Sequence, residues 1–162
     1  MVSLGGSHPD AAEQRLRERG IALPGAPHPL GAYVEAVESG RLLFLSGMLP
    51  VKDGKVQYVG HLGQELDAEA GRDALRTATL NALSVVKEEL GSLDRVSRVI
   101  RVAVYLAASA DFYNQPYVAD GASELLRDVF GEDRMSVRLV LGVTSLPLGA
   151  PVMLEVTFEV SQ

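Results

Sequence analysis

The sequence predicts an α+β domain in which two helices pack on one face of a mixed β-sheet. Short segments with apolar residues at every second position predict strands, and two longer segments with apolar residues at helical spacing predict helices. Their order along the chain is two or three strands, a helix, a strand, a helix and two strands. The 162 residues are enough for one domain with a hydrophobic core. The second face of such a sheet needs a cover, and the simplest one is another copy of the chain.

Composition argues against several classes of function. A net charge of -6 argues against a general nucleic-acid-binding protein, which normally carries a basic patch. The absence of cysteine excludes disulfides and thiol catalysis, and it is typical of a cytoplasmic protein. No segment approaches the ~20 apolar residues of a membrane span. The histidines lack metal-ligand spacing and no nucleotide-binding fingerprint occurs, so we expect no metal and no cofactor. A small molecule or a protein is the expected partner, rather than nucleic acid or a membrane.

Residues 1–30 are predicted to be an N-terminal extension that lies on the domain formed by residues 31–162. Residues 1–7 are expected to form a loose tail, without the basic-then-apolar order of a secretory signal. The charged and alanine-rich segment Pro9–Arg19 predicts a short surface helix. Three prolines make Pro24–Leu30 an extended connection, because proline fixes φ and disfavours a helix before it.

The domain begins with predicted hairpins. Ala32–Val37 and Leu42–Ser46 read as two strands joined by a tight turn. The next segment, Val51–Gln57, contains the dipeptide Asp53-Gly54, which marks a second tight turn.

The middle of the chain alternates between helix and strand. Asp67–Leu90 predicts the longest helix, with an apolar stripe along it and Gly91 at its end. Val96–Ala107 is long and rich in β-branched residues, which is typical of a central strand. A second helix is predicted over Tyr117–Phe130.

The segment Met135–Val160 consists of two alternating runs around a turn rich in proline and glycine, which predicts two neighbouring strands. The residues predicted to face the core are Val137, Leu139, Leu141 and Val143 in the first run, and Val152, Leu154, Val156, Phe158 and Val160 in the second. The opposite face carries one basic residue, Arg138, and the acids Glu155 and Glu159. Arg138 and Glu155 are therefore either parts of a ligand site or a weakly stabilising cross-strand ion pair.

Four segments together resemble the RidA family, which is also called YjgF and, historically, endoribonuclease L-PSP. They are Gly31–Val37, Leu45–Val51, the strand Val99–Leu106 running on to Asp111-Phe112, and Ser136-Val137-Arg138 followed eight residues later by Leu146-Pro147. The resemblance covers roughly residues 29–160. It implies a fold like that of chorismate mutase from bacilli, and a homotrimer with ligand clefts between its subunits.

In the best-known branch of the family, the implied activity is hydrolysis of reactive 2-imino acids to 2-oxo acids and ammonia, as in 2-iminobutanoate/2-iminopropanoate deaminases. Arg138 matches the arginine that holds the substrate carboxylate. Tyr33 matches a tyrosine of the cleft, and Ser46 with Gly47 matches the element beside the ligand. The older family name implies RNA cleavage, for which the sequence offers neither a histidine pair nor a basic stretch.

One position separates an enzyme from a binding protein. Aligned without gaps through Leu146-Pro147, the acid that positions water in the deaminating branch falls on Met153. Glu155 lies two residues further along the same strand face, and we take it as the candidate catalytic residue. A methionine side chain cannot accept or donate a proton in catalysis. Met153 therefore favours the alternative function, a non-catalytic trimer that binds small molecules or has a regulatory role.

Overall fold

Residues 11–161, the part of the chain that the computed structural model describes, form three helices and seven strands. In chain order the elements are α1 (Ala12–Glu18), β1 (Ala36–Ser39), β2 (Leu42–Leu45), β3 (Val51–Lys52), β4 (Lys55–Val56), α2 (Ala68–Leu90), β5 (Val96–Ala107), α3 (Gln115–Phe130), β6 (Val137–Val143) and β7 (Val152–Val160). Five strands form one sheet in the order β1-β2-β7-β5-β6, and β3 pairs with β4 alone. Only β5 and β6 are parallel, so the sheet of the described residues is mixed, as predicted. The predicted tail over residues 1–7 lies outside the described residues.

Local sequence signals place the ends of the elements. Asp67 caps α2, because its side chain accepts a hydrogen bond of 2.8 Å from the backbone N–H of Ala70. Gly91 ends this helix in the left-handed conformation, with φ of 83°. Asp53 and Gly54 both have positive φ, as the tight turn between β3 and β4 requires.

The helices α2 and α3 pack side by side on one face of the sheet, as predicted. Gly121 of α3 allows this close approach, because a Cβ there would lie 2.7 Å from the backbone oxygen of Arg72 in α2. Beneath the helices, the predicted core face of β7 is buried throughout: Val152, Leu154, Val156, Phe158 and Val160. Among the described helices, none has the length and apolar character that crossing a membrane demands.

The last two strands are not neighbours, which corrects the prediction. β5 lies between β6 and β7 and pairs with both. The chain leaves β5, forms α3 and returns as the parallel strand β6, because parallel strands need a long connection.

The predicted core face of β6 is also wrong: Val137, Leu139 and Leu141 are 69%, 40% and 44% exposed, whereas Val140 packs against the core. Both faces of β6 carry apolar residues, so alternation could not select the buried one.

The sheet face opposite the helices, which we call the open face, carries exposed apolar side chains near both edges and polar side chains in its middle. Its exposed apolar side chains are Val37, Phe44, Val137, Leu139 and Leu141. The strand register aligns three of them in one row across the sheet, which runs from Val37 and Phe44 through Thr157 and Arg101 to Val137. Thr157 and Arg101 separate the apolar side chains of β1 and β2 from those of β6, so the face carries one exposed apolar group at each edge, as expected of a surface that another chain covers.

The helix α1 contributes to the main core and is more than a surface element. Ala12 and Leu16 are 2% and 5% exposed and belong to the same hydrophobic cluster as the sheet and the longer helices. Glu13 fixes the helix in place: its carboxylate accepts hydrogen bonds of 3.0 Å from Lys87 Nζ and from the backbone N–H of Leu93. Its own backbone N–H donates to Asp94 at 3.0 Å.

The contacts of Glu13 should make stability depend on pH. Burial raises the pKa of Glu13, but the hydrogen bonds from Leu93 and Lys87 outweigh burial, and the pKa lies below its usual 4.5. A depressed carboxyl pKa stabilises the fold above the pKa of the unfolded chain, and this contribution is lost as pH falls through the folded-state pKa. We therefore expect Glu13→Gln to lower the free energy of unfolding by ~1–2 kcal/mol at pH 7. The difference from wild type should shrink in urea titrations below about pH 4.

The matched control is Glu89→Gln, which changes an exposed acid of α2. Its free energy of unfolding should stay within about 0.5 kcal/mol of wild type. A Glu13→Gln protein as stable as this control at pH 7 would contradict the anchoring role.

Candidate functional site

Ser46, one of the predicted site residues, follows the carboxyl end of β2 and bonds to the segment that directly follows Tyr33, a second predicted site residue. The hydroxyl of Ser46 donates a 2.6 Å hydrogen bond to the backbone oxygen of Val34, and its backbone N–H donates to Glu35 O at 2.9 Å. Tyr33 is 46% exposed, and its hydroxyl accepts a 3.0 Å hydrogen bond from the backbone N–H of Leu30. These bonds hold the segment before β1 as a loop, which explains why the strand begins at Ala36 and not at the predicted Ala32.

Gly47 lies directly beneath Met153. The backbone of the next residue, Met48, forms an isolated bridge to Leu154 of β7, with hydrogen bonds of 2.7 and 2.9 Å. A Cβ on Gly47 would lie only 2.8 Å from Met153 Sδ, so glycine is what allows the thioether to approach the backbone here. The position at which the resemblance expects an acid is therefore next to Gly47 but apolar.

Arg138 lies on the face of β6 that contacts α3. Its Nη1 donates hydrogen bonds of 2.7 Å to Asp120 and 3.2 Å to Ser123. Among the described residues, no partner bonds to the edge of the guanidinium formed by Nε and Nη2. The side chain is 29% exposed, so one edge is fixed by α3 while the other can bind a planar anion.

Glu155 lies on the open face and does not contact Arg138, so the alternative of a cross-strand ion pair between them is wrong. It forms an ion pair of 2.8 Å with Arg101 of β5. Arg138 is in register with Val102, whose partner on β7 is the buried Val156, so Arg138 and Glu155 are on opposite faces with a strand between them. The sequence could not reveal this separation, because it follows from the order of the strands.

The predicted site residues therefore divide into separate groups. Tyr33, Ser46 and Gly47 lie together beside β2, Glu155 lies on the open face, and Arg138 lies at the far edge of the sheet. Three strand spacings, or about 14 Å, separate β2 from β6. Within the described range 11–161, no cluster of three or more histidines and acids could hold a metal ion.

Sequence reasoning missed Asp120 and Ser123, the residues that orient Arg138. They lie three residues apart on α3 and so share one face of the helix. This spacing is a weak signal, since it does not say which strand the helix face meets.

A pocket of about 780 Å³ adjoins the first group of residues. Its walls are the extension over residues 22–28, the segment over residues 47–54 and one face of α2, and Tyr33 and Gly47 both line it. Neither Arg138 nor Glu155 reaches it. The pocket is therefore separate from the edge of the sheet that carries the arginine.

Comparison with known proteins agrees with the fold and the resemblance. A family model described as "YjgF/chorismate_mutase-like, putative endoribonuclease" matches residues 13–160. Protein TCP17 of Trypanosoma cruzi is 40% identical over 147 residues, which cover 90% of this chain and 92% of that protein. A 2-iminobutanoate/2-iminopropanoate deaminase of Dermatophagoides farinae is 28% identical over 138 residues, covering 85% and 93% of the two chains.

Two solved structures share the fold over nearly the whole chain. The protein Atu1372 of Agrobacterium tumefaciens, whose function is described as unknown, has a TM-score of 0.85 and 35% identity, and the match covers 94% of each chain. A "putative endoribonuclease" of Shewanella oneidensis has a TM-score of 0.88 and 32% identity, and the match covers 93% of this chain and 99% of that one. The chorismate-mutase-like fold is thus confirmed, and the chain belongs to the RidA (YjgF) family.

Proposed function

We propose that the chain forms a homotrimer that binds small carboxylate-bearing metabolites in clefts between its subunits. The observation that carries this proposal is the separation of the site residues to the two ends of one sheet. Arg138 at β6 and the Tyr33–Ser46–Gly47 group beside β2 cannot act on one small molecule within a single chain, because three strand spacings lie between them. In an assembly, the β6 edge of one subunit meets the β2 end of its neighbour.

The open face supports assembly. Five exposed apolar side chains on it are not covered by any part of the chain between residues 11 and 161, and burying them against other copies removes apolar surface from water. Closed symmetric assemblies of identical chains are the common outcome when such a surface is self-complementary.

The contacts of Arg138 support carboxylate as the ligand chemistry. Asp120 and Ser123 fix one guanidinium nitrogen and leave the Nε–Nη2 edge for two parallel hydrogen bonds to a carboxylate. If Glu155 occupied all the hydrogen-bond donors of Arg138, the arginine would have a purely structural role. The two residues are not in contact, because Glu155 pairs with Arg101 and Arg138 pairs with Asp120.

Hydrolysis of 2-imino acids is the second candidate function, and the deaminase of Dermatophagoides farinae supports it. The reaction needs the carboxylate held, a water near the imine carbon, and a group that takes or delivers a proton. Met153 beside Gly47 supplies no such group, and Glu155, two residues along β7, is engaged by Arg101. The geometry therefore favours binding with slow hydrolysis over efficient catalysis.

Met153 provides the experiment that separates these functions. 2-Iminopropanoate is generated in situ by an amino-acid oxidase, and its decay is measured with each protein and in buffer. We expect wild type to stay within a few-fold of buffer, and Met153→Glu to accelerate the decay about tenfold or more by placing a proton-transfer group beside Gly47. Met153→Gln has similar size without acid–base function and should behave as wild type.

A fast wild-type enzyme would overturn the non-catalytic interpretation. If that rate is lost in Glu155→Gln, Glu155 is the catalytic residue and the chain is an imine deaminase. If the rate persists in Glu155→Gln, the wild-type protein is an enzyme whose catalytic residue is not Glu155.

A further inference from the structure

The pocket beneath the N-terminal extension has the properties of a small-molecule site. Its volume of about 780 Å³ lies within the ~300–1,000 Å³ that such sites usually have. Most of its wall is apolar, with contributions from Leu23, Leu49 and Leu80. The extension is tied over it, because the Ser84 hydroxyl of α2 donates a 2.8 Å hydrogen bond to Pro24 O.

Glu35 is an acid of this wall that has His28 nearby but no bonded partner among the described residues. Lys52 and Asp53, consecutive residues at the turn between β3 and β4, add one charge of each sign to the wall. Among the described residues, none forms a hydrogen bond or ion pair with the Glu35 carboxylate. Burial raises the pKa of this carboxyl more than the nearby His28 lowers it, as expected of an acid beside an apolar cavity.

Tyr33 places an aromatic ring in the same wall as Glu35. The ring lines the pocket two residues before the carboxyl and is 46% exposed. A carboxylate and an aromatic face together favour an ammonium group, through a charge-assisted hydrogen bond and a cation–π interaction. The surrounding apolar wall favours a ligand whose remaining atoms are hydrocarbon.

We propose that this pocket binds a small primary amine with an apolar body, whose ammonium group is held by Glu35 against Tyr33. The site lies within one chain and shares Tyr33 and Gly47 with the proposed cleft, but Glu35 and the apolar wall are not part of that cleft. The inference therefore depends neither on a trimer nor on Arg138, and among the pocket residues its tests change only Glu35 and Leu80. The Glu35 carboxylate would repel an anionic ligand, and a neutral ligand would leave it without an ion-pair partner.

Calorimetric titration of the full chain with 2-phenylethylamine and with 2-phenylethanol tests the proposal, because the two probes share a body and differ in charge. We expect the amine to bind about tenfold or more tightly than the alcohol. Glu35→Gln should weaken amine binding about tenfold and leave alcohol binding unchanged. Glu89→Gln, which changes an exposed acid outside the pocket, should alter neither.

A second variant tests the location without touching the acid. Leu80→Trp extends a half-buried side chain of α2 into the pocket and should weaken binding of both probes about tenfold or more, with folding verified by circular dichroism. Equal affinity for amine and alcohol would overturn the proposal. So would unchanged amine binding in Glu35→Gln or in Leu80→Trp.

Discussion

Arg138→Ala is expected to weaken binding of a small carboxylate such as 2-oxobutanoate by about a hundredfold or more, because each hydrogen bond to a charged group is worth ~1.5–3 kcal/mol and two are lost. Calorimetry with the assembled protein measures this change. Arg138→Lys keeps the charge but loses the planar fork, so its affinity should fall between those of wild type and Arg138→Ala.

The control for this substitution is Arg127→Ala, which removes an exposed arginine of α3. It should bind the carboxylate as wild type does. Equal affinity for all these proteins would show that Arg138 is not the anchor and would leave its contacts with Asp120 and Ser123 as purely structural.

Leu139→Asp is expected to convert the proposed trimer to monomers. Leu139 lies on the open face, 40% exposed in the single chain, between the exposed Val137 and Leu141. Assembly would bury the new carboxylate in each subunit without a partner, at a cost of several kcal/mol per site. Size-exclusion chromatography with light scattering at micromolar concentration measures the mass.

Leu148→Asp is the matched control, because Leu148 is 63% exposed and lies outside the sheet. Its φ of 59° is a conformation that aspartate tolerates, so the variant should fold and assemble as wild type does. A Leu139→Asp protein that keeps its mass would move the interface elsewhere. A monomeric wild type would contradict the shared site.

The sequence was most informative where structure is decided locally. The N-cap at Asp67, the left-handed Gly91 and the Asp53-Gly54 turn each act on their own neighbours, so the helix and the hairpin followed from pattern. The buried face of β7 followed from strict alternation, since its other face is polar apart from Met153.

Features that depend on distant contacts could not be predicted. Leu139 and Val140 are equally apolar, and only the crossover through α3 decides which of them is buried. The alternative in which Arg138 pairs with Glu155 was wrong for the same reason, because β5 lies between the last two strands and the guanidinium contacts Asp120 of α3 instead. The resemblance named Tyr33, Ser46 and Gly47 as candidate site residues, but it gave no information on their distance from Arg138 within one chain.

The separation of Gly47 from Arg138 across the sheet has a genetic consequence. Suppose that each cleft takes Arg138 from one chain and Gly47 from the next. A variant at Arg138 and a variant at Gly47 then damage different halves of a cleft. In a mixed assembly some clefts would then receive both intact halves, so two inactive alleles would complement each other in one cell.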